Sequence, residues 1–159
     1  MLQRVKGELM NIDDRVESLV REGIDAAVKK NLDRLHAVFA TISDGGIATA
    51  ATDLVRAVCA KVVLDTFHGQ RPTYAQIDSL AGDVAFEEGW ARVRKNGIAT
   101  LLHSVLSDEE LPCHDLSPDE ELALPFIVAA NLLNENSEPP DGDWVDYLDR
   151  VESTIAAAH

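Results

Sequence analysis

The sequence is poor in positive charge, and it has almost none toward its C-terminus. Its 159 residues include 14 Lys and Arg against 28 Asp and Glu, a formal net charge of −14. Nucleic acid and anionic lipid would repel such a chain at long range, so neither is expected as a general partner. Cysteine is scarce as well. Cys59 and Cys113 stand far apart with no CxxC spacing, so no paired-cysteine zinc pattern exists. Cys59 falls on an apolar helical face, where a buried reduced thiol is the ordinary expectation; a reducing cytoplasm follows as the expected compartment.

Long hydrophobic runs are missing. The longest, 122–133, is interrupted by Pro125 and Asn131 and is shorter than the roughly 20 residues a membrane-spanning helix needs. The N-terminus carries Glu8 and no uninterrupted apolar core, which predicts neither a signal nor a transit peptide. There is no Gly-rich phosphate loop, nucleophile elbow or HExxH, and no repeat at a useful period. Catalysis therefore has no positive support, and no cofactor is expected.

What the chain does have is a 46% hydrophobic fraction, enough for a core that offsets conformational entropy. Leu2, Val5, Leu9, Ile12, Val16, Val20, Ile24, Ala27, Leu32, Leu35, Val38 and Ile42 keep near the helical period for about eleven turns. The spacing from Leu2 to Leu19 is 3-4-3-4-3, the seam of a coiled coil, although it is short for one. Unbroken, this helix would be about 60 Å long, more than a domain of this size can cover. Either Gly23 bends it, or a second copy packs on Leu2, Val5, Leu9, Ile12 and Val16 and the chain is a homodimer.

Further helices follow. Ser43 to Gly46 reads as a turn, after which Ile47, Ala51, Leu54, Val55, Val58, Cys59, Val62 and Thr66 mark one face of a helix ending near Gly69 and Pro72. Thr73 with Gln76 predicts a capping box. Gly82-Asp83 is expected to turn the chain into another helix, carrying Val84, Trp90 and Val93 and stopped by Asn96-Gly97, before a short one through Ile98 and Leu102. Ser117 and Pro118 announce a helix that Pro125 should kink or split. The last helix has Trp144, Tyr147, Leu148, Val151 and Ile155 on one side. No segment alternates at period two, so the expected fold is all-α, a single-domain bundle of about six or seven helices. It divides into an N-terminal stripe (1–42), a central core (43–106) and acidic C-terminal helices (107–159).

Within this division the charge is one-sided. Residues 1–42 hold seven bases and seven acids, 43–106 six and seven, and 107–159 only Arg150 against fourteen acids. Many of these acids suit helix N-termini or a solvated face. The functional expectation is a surface for a basic protein partner, with Asp108, Glu109, Glu110, Asp119, Glu120 and Glu121 as its residues. An adaptor, inhibitor or immunity-type protein fits that description.

Two alternatives compete. Residues 73–97 have the outline of a helix-turn-helix, with Arg92, Arg94 and Lys95 on the second helix of a transcriptional regulator. A metal-binding helical-bundle enzyme would use Asp33 with His36 and Asp65 with His68, pairs spaced like the Glu-x-x-His of carboxylate-bridged bundles. His36 falls on its apolar stripe and reads as a core histidine, while His68 falls off its stripe beside Gly69, so no shared metal is expected. Cys113-His114-Asp115 are sequence neighbours rather than a converging triad. Asp141, Asp143, Asp149 and Glu152 imitate a calcium loop but place Val145 and Asp146 where a ligand and a glycine are needed.

Overall fold

A computed structural model describes residues 13–107, 118–136 and 143–157, with side chains throughout these except at 118–121. Among the described residues the chain forms seven α-helices and no strand. These are α1 (Asp14–Val28), α2 (Leu32–Asp44), α3 (Ala48–Thr66), α4 (Tyr74–Glu87), α5 (Lys95–Ser107), α6 (Pro118–Asn136) and α7 (Trp144–Ala157), with a 3-10 turn at Gly89–Ala91. None of the helices is long and apolar enough to cross a membrane.

The core is built around α6. Leu124 and the residues from Phe126 to Leu133 are all buried, so this helix is covered on every side, which explains why its sequence reads as an apolar run rather than a stripe. It packs against α1 and α3, and more lightly against α5 and α7. Pro125 lies inside α6 without splitting it. Its carbonyl accepts the Cys59 thiol from α3 at 3.3 Å. Proline removes one ladder donor, but burial of the flanking residues outweighs that local cost.

The N-terminal stripe is broken elsewhere than expected. The chain leaves α1 at Lys29, Lys30 takes a left-handed conformation (φ 56°), and the Asn31 side chain caps α2 by accepting the Arg34 amide at 3.1 Å. The amide of Asn31 bonds the Ala26 carbonyl at 2.9 Å, closing the end of α1. Gly23 is not the break. It sits buried within α1, and a Cβ placed there would meet two carbons of the Phe126 ring at 2.6 and 2.7 Å. The glycine is there so that α1 can approach α6. Phe39 of α2 meets the same Phe126 ring edge-on, with centroids 5.2 Å apart. Val16, Val20, Ile24, Leu35, Val38 and Ile42 are buried as the stripe predicts, whereas Leu32 is exposed.

The expected turn at Gly82-Asp83 does not form. Helix α4 runs through it because Ile77, Ala81 and Val84 make one continuous buried line, and a single glycine costs only about 1 kcal/mol in a helix. The capping box at Thr73 and Gln76 is present in both directions, at 2.8 and 3.2 Å. The real reversal comes after Glu88, where the 3-10 turn ends at Arg92 in a left-handed conformation. Asn96 and Gly97 then lie in the first turn of α5 rather than ending a helix. Tyr74 stacks on His103 while Lys95 reaches Asp78, so α4 and α5 run antiparallel.

Candidate functional site

The electrostatic site expected from the sequence falls mostly outside the described residues. Asp108, Glu109 and Glu110 lie there, as do Cys113, His114 and Asp115. Asp119, Glu120 and Glu121 belong to the first turn of α6, where only the backbone is described. Of the association face, Leu2, Val5, Leu9 and Ile12 are likewise outside, and Val16 is buried in the chain's own core with Val20 and Ile24.

The C-terminal acids that are described largely serve the fold. Asp143 caps α7 by accepting the amides of Val145 and Asp146 at 3.0 and 3.3 Å. Asp149 and Glu152 of α7 both hold Arg21 of α1, at 2.6 and 3.0 Å, and Glu17 takes the same guanidinium at 2.9 Å. Three carboxylates therefore surround one cation. Burial, then the neighbouring Glu17 carboxyl, pushes Glu152 up to about 8, and its Oε2 has no hydrogen-bond partner. Protonation of Glu152 would relieve the crowding of three carboxylates around one guanidinium.

The proposed metal pairs do not converge. His36 is exposed rather than on the buried face, one position beyond Leu35, and so is not the core histidine its spacing suggested. His68 is exposed in the left-handed turn that ends α3, while Asp65 accepts the Tyr147 hydroxyl at 2.9 Å and pairs with Lys61 at 3.1 Å. Among the described residues no group of His, Cys, Asp and Glu is arranged to hold a metal. Cys59 is fully buried, and loss of solvation pushes its thiol up to about 12, which suppresses the nucleophilic thiolate. The bases of the helix-turn-helix reading are dispersed: Arg92 is in the turn, Arg94 precedes α5 and has an interaction of its own, and Lys95 pairs with Asp78 at 3.0 Å.

A different surface stands out at the C-terminal end of α4. Its buried line ends at Val84, so Phe86, two residues on, points to the opposite side and is 88% exposed. Asp83 and Glu87 beside it are exposed as well. Next to them opens a cleft of about 270 Å³, lined by Lys30, Glu87, Glu88, Asn131 and Glu135 among others. Glu88 is buried, and its partners are neutral donors: the Trp90 indole at 2.7 Å and the Asn131 amide at 2.8 Å. Asn131 also reaches Glu87 at 3.1 Å, which ties α6 to the end of α4. The cleft thus carries three carboxylates and a single ammonium, that of Lys30. Elsewhere Arg21, Lys29, Arg34, Lys61 and Lys95 each pair with one of the chain's own carboxylates.

Sequence reasoning missed this surface. Phe86 could have been found as the one large apolar residue off the Ile77–Ala81–Val84 line, but only if Gly82 had been read as helical. The approach of Asn131 and Glu135 to α4 left no local signal. Comparison of the chain with protein-family models, with curated proteins and with solved structures gave no match.

Proposed function

We propose that this protein is a non-catalytic acidic helical binding module, an adaptor, inhibitor or immunity-type protein that captures a basic protein partner. The supporting observation is the juxtaposition at the end of α4: an almost fully exposed Phe86 beside a cleft carrying Glu87, Glu88 and Glu135. Exposed aromatics are typical anchors of protein interfaces, and carboxylates around one favour a partner that presents Arg or Lys next to an apolar pocket. With five cations occupied by the chain's own acids, the outward field is set by the net charge of −14. The acids Asp108, Glu109, Glu110, Asp119, Glu120 and Glu121 belong to the same proposal as partner-facing residues, resting on their clustering in the sequence. A cytoplasmic location and a homodimer through Leu2, Val5, Leu9 and Ile12 belong to the same proposal, the latter resting on their 3-4 spacing.

The test compares wild type with Phe86→Ala and with the double variant Glu87→Lys, Glu135→Lys as bait in soluble extract. A partner of basic composition should be retained by wild type at low salt, released as salt rises, and lost from both variants. Equal retention by all three baits would overturn the assignment of this surface. Light scattering at micromolar concentration checks the homodimer, and a monomeric mass would reject it.

A further inference from the structure

At the opposite end of α4, about 18 Å from Phe86 along the helix, a second cleft opens between α4 and α5. It has a volume of about 450 Å³, within the range of small-molecule sites. Arg71, Tyr74, Ile77, Thr100, His103 and Ser107 contribute to its walls. The Tyr74 ring is 76% exposed and stacks on the His103 imidazole, with centroids 4.4 Å apart and planes inclined by 30°. His103 Nε2 is buried with no hydrogen-bond partner. Such an orphaned polar atom is uncommon in a folded protein and calls for a reason.

The polar groups are sorted by sign. Arg71 brings a guanidinium, and the antiparallel pairing places the positive N-terminal end of α4 beside it. The hydroxyls of Thr100 and Ser107 have their protons committed to the carbonyls of Asn96 and His103, at 2.9 and 2.7 Å, which leaves lone pairs to offer. The negative C-terminal end of α5 lies on their side. Asp78, the nearby acid on α4, is neutralised by Lys95. Pro72 and Leu106 add apolar lining, and the outer face of Tyr74 is open for a further ring.

We infer that the cleft between α4 and α5 binds a small aromatic carboxylate bearing a hydrogen-bond donor on its far side. The carboxylate meets Arg71 and the start of α4, the ring lies against Tyr74, and the donor faces the Thr100 hydroxyl. This site is separate from the acidic surface at Phe86, so either can fail without the other.

The test is an amide and imidazole NMR titration of the full chain with 4-hydroxybenzoate, with tyramine as the control that keeps ring and hydroxyl but replaces the carboxylate by an amine. A probe of this size should bind with a dissociation constant of about 1 mM. Saturable shifts are expected at Tyr74, Thr100 and His103. Arg71→Gln should weaken binding about tenfold and Tyr74→Ala about threefold or more; both positions are exposed, so both variants should fold. Shifts that do not saturate by roughly 10 mM, tyramine binding as well as the carboxylate, or affinity unchanged in Arg71→Gln would each overturn the inference.

Discussion

The Arg21 cluster makes stability depend on pH in an unusual direction. Glu152 is 8% exposed and shares Arg21 with Asp149 and Glu17, so its ionised form would add a third carboxylate around one cation. Burial first, and then Glu17, raises its pKa from an ordinary 4.5 to about 8. Between those values the native chain keeps a proton that the unfolded chain has released. Stability from this group is therefore complete below about 4.5, falls as pH rises to about 8, and is flat above. At 1.36 kcal/mol per pH unit, the whole gap corresponds to between about 4 and 5 kcal/mol. Asp149 is well exposed and Arg21 and Glu17 partly so, and solvent screening reduces this to about 1–3 kcal/mol. The proton belongs to the cluster as much as to Glu152, so the measurement should follow the fold rather than one resonance. Urea unfolding monitored by circular dichroism at pH 5 to 9 (five values at about one-unit steps) would compare wild type with Glu152→Gln, which keeps the shape and a donor but cannot ionise. The two should be similar near pH 5, and the variant should be the more stable by about 1–3 kcal/mol near pH 9. Parallel profiles across this range, or a wild type that gains on the variant as pH rises, would refute the reasoning.

Other predictions concern packing. Gly23→Ala should destabilise by about 1–3 kcal/mol despite the better helix former, because the new methyl overlaps the Phe126 ring; a thermal midpoint equal to or above wild type would contradict the close approach of α1 to α6. In a Cys113→Ser background Cys59 should resist a thiol reagent in the native state and react at the rate of unfolding, so prompt labelling without denaturant would show that the buried thiol bonded to Pro125 is wrongly placed. Tyr147→Phe removes the hydroxyl that Asp65 accepts and should cost about 1 kcal/mol in denaturant unfolding, with no change expected if that bond is absent in solution.

The helices themselves were legible in the sequence because their signals are local. The four-residue spacing of Val16, Val20 and Ile24, the Thr73 and Gln76 cap, Pro118 at a helix start and the stripe from Trp144 to Ile155 each depend on residues within a few turns. Helix ends differ from the local expectation where a glycine is outweighed by burial: Gly82 stays within α4, flanked by buried Ala81 and Val84, and α6 likewise continues through Pro125. The true reversals fall at Lys30 and Arg92, non-glycine residues held left-handed by their surroundings.

Charge shows the same division. Composition and order along the chain set how much acid there is and in which third it lies. What each acid does depends on the packing of the helices: Asp149 and Glu152 hold Arg21, which stands 128 and 131 residues away, and Glu88 holds Asn131, 43 residues away. Helix formation is set by neighbours along the chain, so its period can be read in one dimension. The partners of a side chain are set by which helix faces meet, and that depends on packing, such as the contact of Gly23 with Phe126, which no local pattern encodes.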